Sequence, residues 1–115
     1  MDNKTYTLKF KTANQDVFKA IRMGSKKIET RAATVKYRDI KSGDILIFVC
    51  GRRKFERKVK DARIFKTINA MLRVHKVKDI MPSLNSKADL EKAYFSYPKY
   101  KEKIKKFGLM AFRIN

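Results

Sequence analysis

A chain of 115 residues with 43% hydrophobic content is one globular domain with a modest core, too short for two domains and too apolar for disorder. No apolar run approaches the roughly 20 residues that cross a bilayer, so a membrane partner is not expected. Thirty Lys and Arg against 11 Asp and Glu leave a net charge of +19. That excess goes beyond what solubility requires and predicts a polyanionic partner over a merely lysine-rich surface.

The N-terminal stretch Met1-Asp2-Asn3-Lys4 is followed by no apolar h-region, so no signal peptide is read there. Thr5 to Phe10 alternates, with Tyr6, Leu8 and Phe10 on one face, and reads as the first strand. Asn14 is placed to cap a helix from Gln15 to Met23, in which Val17, Phe18 and Ile21 recur at helical spacing. Gly24 supplies its left-handed stop.

Gly24-Ser25-Lys26-Lys27-Ile28-Glu29-Thr30-Arg31 is the most distinctive segment. A strand from Lys27 to Ala33 would place Lys27, Glu29 and Arg31 on one face and Lys26, Ile28 and Thr30 on the other. A glutamate among strong bases on a strand leaving a helix predicts the wall of a charged cleft. Glu29 then either orients Arg31 through an ion pair or acts as an acceptor for a base edge or as a general base. The lysines and Arg31 would face phosphates.

Thr34 to Lys41 is a basic loop carrying Lys36-Tyr37-Arg38, and Ser42-Gly43-Asp44 is a turn. Ile45 to Cys50 is a continuous apolar run, expected to be a strand covered on both sides. Its Cys50 is the single cysteine, which forms no internal disulfide and reads as a buried thiol in a reducing, cytoplasmic setting. Gly51-Arg52-Arg53 turns the chain into a strand of roughly Lys54 to Phe65, where Phe55, Arg57 and Val59 alternate with charge. Arg52-Arg53-Lys54, with Arg57 and Lys58 following, is a second basic cluster, read as suited to a nucleic-acid backbone ahead of a merely solvated turn.

Thr67 caps a helix with Ile68, Met71, Leu72 and His75 on one face, and Ser86-Lys87-Ala88-Asp89 opens another with Leu90, Ala93 and Tyr94 inward. Pro82 and Pro98 punctuate the chain on either side of the second helix. Tyr97 and Tyr100, beside Lys99, Lys101, Lys103, Lys105 and Lys106, are candidates either for stacking on unpaired bases or, as such tyrosines more often do and as is read for Tyr94, for packing a helix end. Gly108 opens a last strand, Leu109 to Ile114. One histidine and one distant cysteine make no metal-ligand spacing, and neither a Walker loop nor a dinucleotide fingerprint occurs, so no metal or cofactor is expected. Strands with interposed short helices predict an α+β fold compatible with a small barrel.

Several of these residues carry a family resemblance. Phe10 before the helix, then Gly24, Lys26, Glu29 and Arg31, then Gly43-Asp44, and the closing Phe107-Gly108-Leu109-Met110-Ala111-Phe112 resemble the ASCH family over almost the whole chain and in the expected order. The closing run is similar to the family's Tyr-Gly-Val-Val-Ala-Ile. The resemblance implies that residues 1–115 are a single ASCH domain with a PUA-like β-barrel. It also implies a monomeric nucleic-acid-binding module, with RNA expected ahead of DNA, whose cleft surrounds Lys26, Lys27, Glu29 and Arg31. Lys36, Arg38, Arg52, Arg53, Arg57 and Tyr97 would lie around that cleft. Some members are amidohydrolases of acylated cytidine-type nucleosides, and others cleave RNA, which makes Lys26 and Glu29 the catalytic candidates if the protein is an enzyme. The amidohydrolase motif has Thr three residues after its lysine and a Glu in the later helical region. This chain has Glu29 at the first position and no acid at Pro82-Ser83-Leu84, the nearest being Asp79, Asp89 and Glu91.

Overall fold

The computed structural model describes residues 3–115. Residues 1 and 2 of the stretch considered above for a leader lie outside them. Six strands form two sheets: β1 (Thr5–Phe10), β3 (Ile45–Cys50) and β4 (Arg53–Lys58) in the order β1-β3-β4, and β2 (Ile28–Ala32), β5 (Asp61–Phe65) and β6 (Leu109–Arg113) in the order β2-β6-β5. β1 and β3 run parallel, and the other pairs are antiparallel. Among the described residues five α-helices accompany them, α1 (Gln15–Met23), α2 (Ile68–Leu72), α3 (Val77–Ile80), α4 (Lys87–Phe95) and α5 (Tyr100–Phe107), with one 3-10 turn at Thr12–Asn14. The architecture is a small α+β domain. Among the described residues the strand pairing leaves two separate sheets, and no hydrogen-bonded ladder closes them into a barrel.

Alternation along β6 explains how one sheet serves two cores. Met110 and Phe112 point into a cluster with Leu8, Phe18, Leu46 and Phe48, while Leu109 and Ala111 join Ile28, Met71, Leu90 and Tyr94 on the other face. The β2-β6-β5 sheet is therefore the middle layer, between the first sheet with α1 and the helices α2 to α5. Burial of Phe18 and Phe48, both fully shielded, contributes about 2–3 kcal/mol each.

Three expectations change in detail. The stretch from Lys54 to Phe65 is two strands in different sheets. Buried Val59 and its neighbour Lys60 take the chain across, with Val59 N–H donating to Asp44 (2.8 Å) and Lys60 N–H to Arg113 (2.8 Å). Ile45–Cys50 is not covered on both sides: Leu46, Phe48 and Cys50 are buried, whereas Ile45, Ile47 and Val49 stay partly open because α1 and β6 pack on one face only. Gly24 ends α1 in the left-handed region (φ 87°) as expected, and Thr67 and Ser86 cap α2 and α4 through Ala70 N–H (3.0 Å) and Asp89 N–H (3.2 Å). Asn14 precedes α1 without a side-chain cap bond.

Gly108 opens β6 at φ 82°, and a Cβ there would lie 2.5 Å from the Phe65 carbonyl oxygen. Both the dihedral and the backbone overlap oppose any side chain. Gly108→Ala is expected to cost about 2–3 kcal/mol, read as a lower urea midpoint with an unchanged slope.

His75 lies just past α2, buried and edge-on to Phe65 with centroids 5.8 Å apart. Burial first, and then Arg113, lower its pKa below the ordinary 6.5, with Asp61 and Asp79 opposing. The unfolded chain thus binds the proton more readily. The stability tied to neutral His75 is fully present above about pH 6.5 and is lost as the pH falls below it. The gap in urea midpoint between the wild type and His75→Phe should shift against the wild type on acidification, while remaining constant above neutrality.

Candidate functional site

β2 is an edge strand, and an edge leaves backbone amides without a ladder partner. Here side chains take them. Thr30 N–H donates to Glu29 Oε1 (3.1 Å) and Ala32 N–H to the Tyr100 hydroxyl (2.8 Å). The edge is thereby blunted, and the same bonds fix Glu29 and Tyr100 beside a cavity of about 280 Å³. The end of β1 and the start of α1 wall it on one side through Phe10, Asn14 and Val17. The helical layer walls it on the other through Tyr94, Tyr97 and Tyr100.

Lys26 and Glu29 form the base of this cavity, only 2% and 3% exposed. Lys26 Nζ donates to the Ile80 carbonyl and lies 3.5 Å from Glu29 Oε1. Arg31 reaches Glu29 Oε2 through both Nε and Nη2, each at 3.2 Å. Its guanidinium also lies over Phe10 (4.9 Å to the centroid) and beside Tyr37 (5.6 Å). Both carboxylate oxygens are thus engaged within the protein, one by Lys26 and the Thr30 amide and the other by Arg31. Glu29 orients two cations. Of the roles read for it from sequence, the ion pair is the one its contacts display.

The electrostatics follow from that arrangement. Burial pushes the Lys26 pKa down, with Glu29 pulling against it. Burial also opposes the charge on Arg31, but Glu29, with smaller help from Tyr37 and Tyr100, outweighs it and holds the pKa above the usual arginine value. Tyr100 is pushed up to about 12, mainly by burial, and burial raises Tyr94 and Tyr97 as well. The tyrosines therefore face the cavity as neutral phenols. Two cations against one carboxylate leave the base of the cavity net positive. Lys26 keeps one ammonium hydrogen, and Arg31 Nη1 keeps its donors, with no partner among the described residues.

Lys26, Glu29, Arg31 and Tyr97 meet in one place. Lys27 does not join them: its side chain is exposed, and its backbone N–H bonds to Asp79 (2.9 Å). Strict alternation misassigned the two lysines because β2 begins only at Ile28, so Lys26 lies in the irregular turn and folds back onto Glu29. Lys36, Arg38, Arg52 and Arg53 are exposed. Arg57 is tied down, donating to Asn115 Oδ1 (3.1 Å) and to the carbonyls of Glu56 and Arg22 (both 3.0 Å), with Phe55 beneath it.

Sequence reasoning passed over Lys9 and Lys11, which line the mouth, and Thr30, whose hydroxyl pairs with Tyr94 (2.5 Å). Position relative to Phe10 was the available signal for the two lysines. Thr30 had none, since it points to the opposite face of β2 from Glu29 and reaches the cavity only because β2 is an edge.

No family model and no curated protein matches the sequence. Among solved structures, the crystal structure of the hypothetical protein PH0355 from Pyrococcus superimposes with a TM-score of 0.80 at 30% identity, covering 99% of this chain and 98% of that one. The solution structure of protein PF0455 from Pyrococcus furiosus gives a TM-score of 0.74 at 26% identity, covering 96% of each chain. The chain belongs to the same family as PH0355. Among the described residues, no helix is long and apolar enough to cross a membrane.

Proposed function

We propose that this member of the PH0355 family is an ASCH-type, PUA-like module that binds single-stranded nucleic acid as a monomer, RNA ahead of DNA, by taking an unpaired base into the cavity at the edge of β2. The observation that carries this reading is the pairing of a net-positive, donor-bearing base (Lys26, Glu29, Arg31) with aromatic walls from Phe10, Tyr97 and Tyr100. Flat aromatic surfaces accept any base by stacking, and unspent donors suit the oxygens and ring nitrogens of a base or phosphate. A cavity of about 280 Å³ suits one nucleotide-sized group better than a large ligand. The +19 charge supplies the long-range attraction.

The deciding experiment incubates the purified protein with labelled single-stranded and duplex RNA and DNA, following both retention and cleavage. Retention of intact single-stranded RNA, weakened by Arg31→Ala in a folded variant, is the expected result. Failure to retain any nucleic acid at low salt overturns the reading.

One observation favours a small hydrolase in the same cavity. Lys26 lines the cavity with its Nζ 3.5 Å from Glu29 Oε1, and burial lowers its pKa, the direction that favours a lysine as a proton acceptor. On that reading Lys26 is the general base and Glu29 holds it in place. Cleavage of RNA, or deacylation of an acylated cytidine-type nucleoside, that disappears in Lys26→Met while RNA retention persists would establish it.

A further inference from the structure

The cavity mouth does not end at its own rim. On one side Arg31 packs against Tyr37 (5.6 Å), and the Lys36 ammonium lies over the same ring (5.4 Å). On the other side Phe10, beneath Arg31, meets Phe18 edge-on (6.1 Å), and the Arg53 guanidinium lies over Phe18 (5.9 Å). Arg53 Nη2 also donates to Gln15 Oε1 at 3.1 Å. Cys50 Sγ lies 3.9 Å from the Lys11 carbonyl, which brings the end of β3 against the segment carrying the mouth lysines.

These contacts join three separate parts of the chain into one continuous line: the 34–40 segment, the cavity mouth and the β3–β4 hairpin. Cations and aromatic rings are packed together along it. The rings hold the cations, and the cations keep donors toward solvent. Long side chains held in this way lose less freedom on meeting a phosphate than free ones do. Arg57, by contrast, spends its donors on the carbonyls of Arg22 and Glu56 and on Asn115. Two α5 lysines pack on rings outside the cavity lining, Lys101 on Phe95 (5.4 Å) and Lys106 on Phe107 (5.2 Å).

We infer that the occupant is a single strand of RNA several nucleotides long, which drops one base into the cavity and runs in both directions, its backbone held by Lys36 on one flank and by Lys9, Lys11 and Arg53 on the other. This rests on the nucleic-acid reading of the cavity and adds to it a footprint on the order of four to eight nucleotides, a path and a set of backbone contacts. A duplex does not satisfy the arrangement, because a paired base cannot enter the cavity while its strand lies across the mouth.

The test is a length series of oligouridylates from two to twelve nucleotides, bound to the full chain at fixed salt beside a twelve-base-pair RNA duplex. Affinity should rise by about tenfold or more between the dinucleotide and the octanucleotide and then level off. Lys36→Ala and Arg53→Ala should each flatten the log–log salt slope of the octamer by about 0.7, leave the dinucleotide unaffected and preserve the thermal midpoint. Lys103→Ala should leave the octamer slope unchanged. Affinity that saturates at the dinucleotide overturns the path while leaving the cavity reading intact, and a duplex bound as tightly as the octamer overturns both, because a paired base cannot enter the cavity. Absence of binding at every length overturns both.

Discussion

Glu29→Ala is expected to destabilise the protein by about 3–5 kcal/mol, the loss typical of removing one partner from a buried ion pair. The reason lies in what stays behind. Lys26 is 2% exposed, and with the carboxylate gone its ammonium retains only the Ile80 carbonyl as a partner. The Thr30 amide on the β2 edge loses its acceptor as well. Arg31, with a side chain 19% exposed, has solvent to turn to and adds less to the loss. Urea unfolding measures the effect. The double variant Lys26→Met, Glu29→Leu should recover most of the stability, because apolar groups of similar length replace both charges. A Glu29→Ala loss below about 1 kcal/mol, the range of surface pairs, would show that the ammonium escapes to water. The double variant should nevertheless fail to bind RNA, separating the pair's service to the fold from its service to the site.

Binding of an oligonucleotide that covers the whole path should weaken by about a hundredfold between 50 and 200 mM monovalent salt. The estimate comes from counterion release. About five phosphate contacts, four along the flanks from Lys9, Lys11, Lys36 and Arg53 and one at the cavity from Arg31, at about 0.7 ions each on a single strand, give a log–log slope near −3.5. The measurement is a fluorescence anisotropy titration at several salt concentrations. A slope near zero would mean that the bound strand touches none of these cations through phosphate. A slope far steeper than −3.5 would bring in the remaining exposed lysines and dissolve the distinction between these five cations and the rest of the +19 surface.

Much of the local architecture was legible from residue order. β1 and β6 read as strands from their apolar patterning and flanking residues, α1 from its helical spacing and Gly24, and α2 and α4 from the caps Thr67 and Ser86. The helices at Val77–Ile80 and Tyr100–Phe107 were not foreseen. The first is a single turn. In the second, Tyr100, Ile104 and Phe107 have helical spacing but are outnumbered by lysines, so the segment reads as a charged patch. The passage from β4 to β5 was equally hidden, since a strand that changes sheets keeps its alternating pattern through the corner.

For the site, the residue types in Lys26-Lys27-Ile28-Glu29-Thr30-Arg31 determined that a carboxylate and strong bases would share a small region, and the +19 charge is what makes a polyanion the proposed partner. Tertiary structure decided which lysine belongs there. Lys26 is buried and Lys27 exposed because β2 starts at Ile28 and the preceding turn folds inward, which strand periodicity does not encode. It also decided that Glu29 spends both oxygens on its neighbours, and that tyrosines 64 and 68 residues from the β2 residues they bond complete the wall. Those contacts exist because β2 lies at the edge of its sheet, between two layers. An edge is a property of strand order in space, set by long-range pairing between β2 and β6, and local sequence carries no record of it.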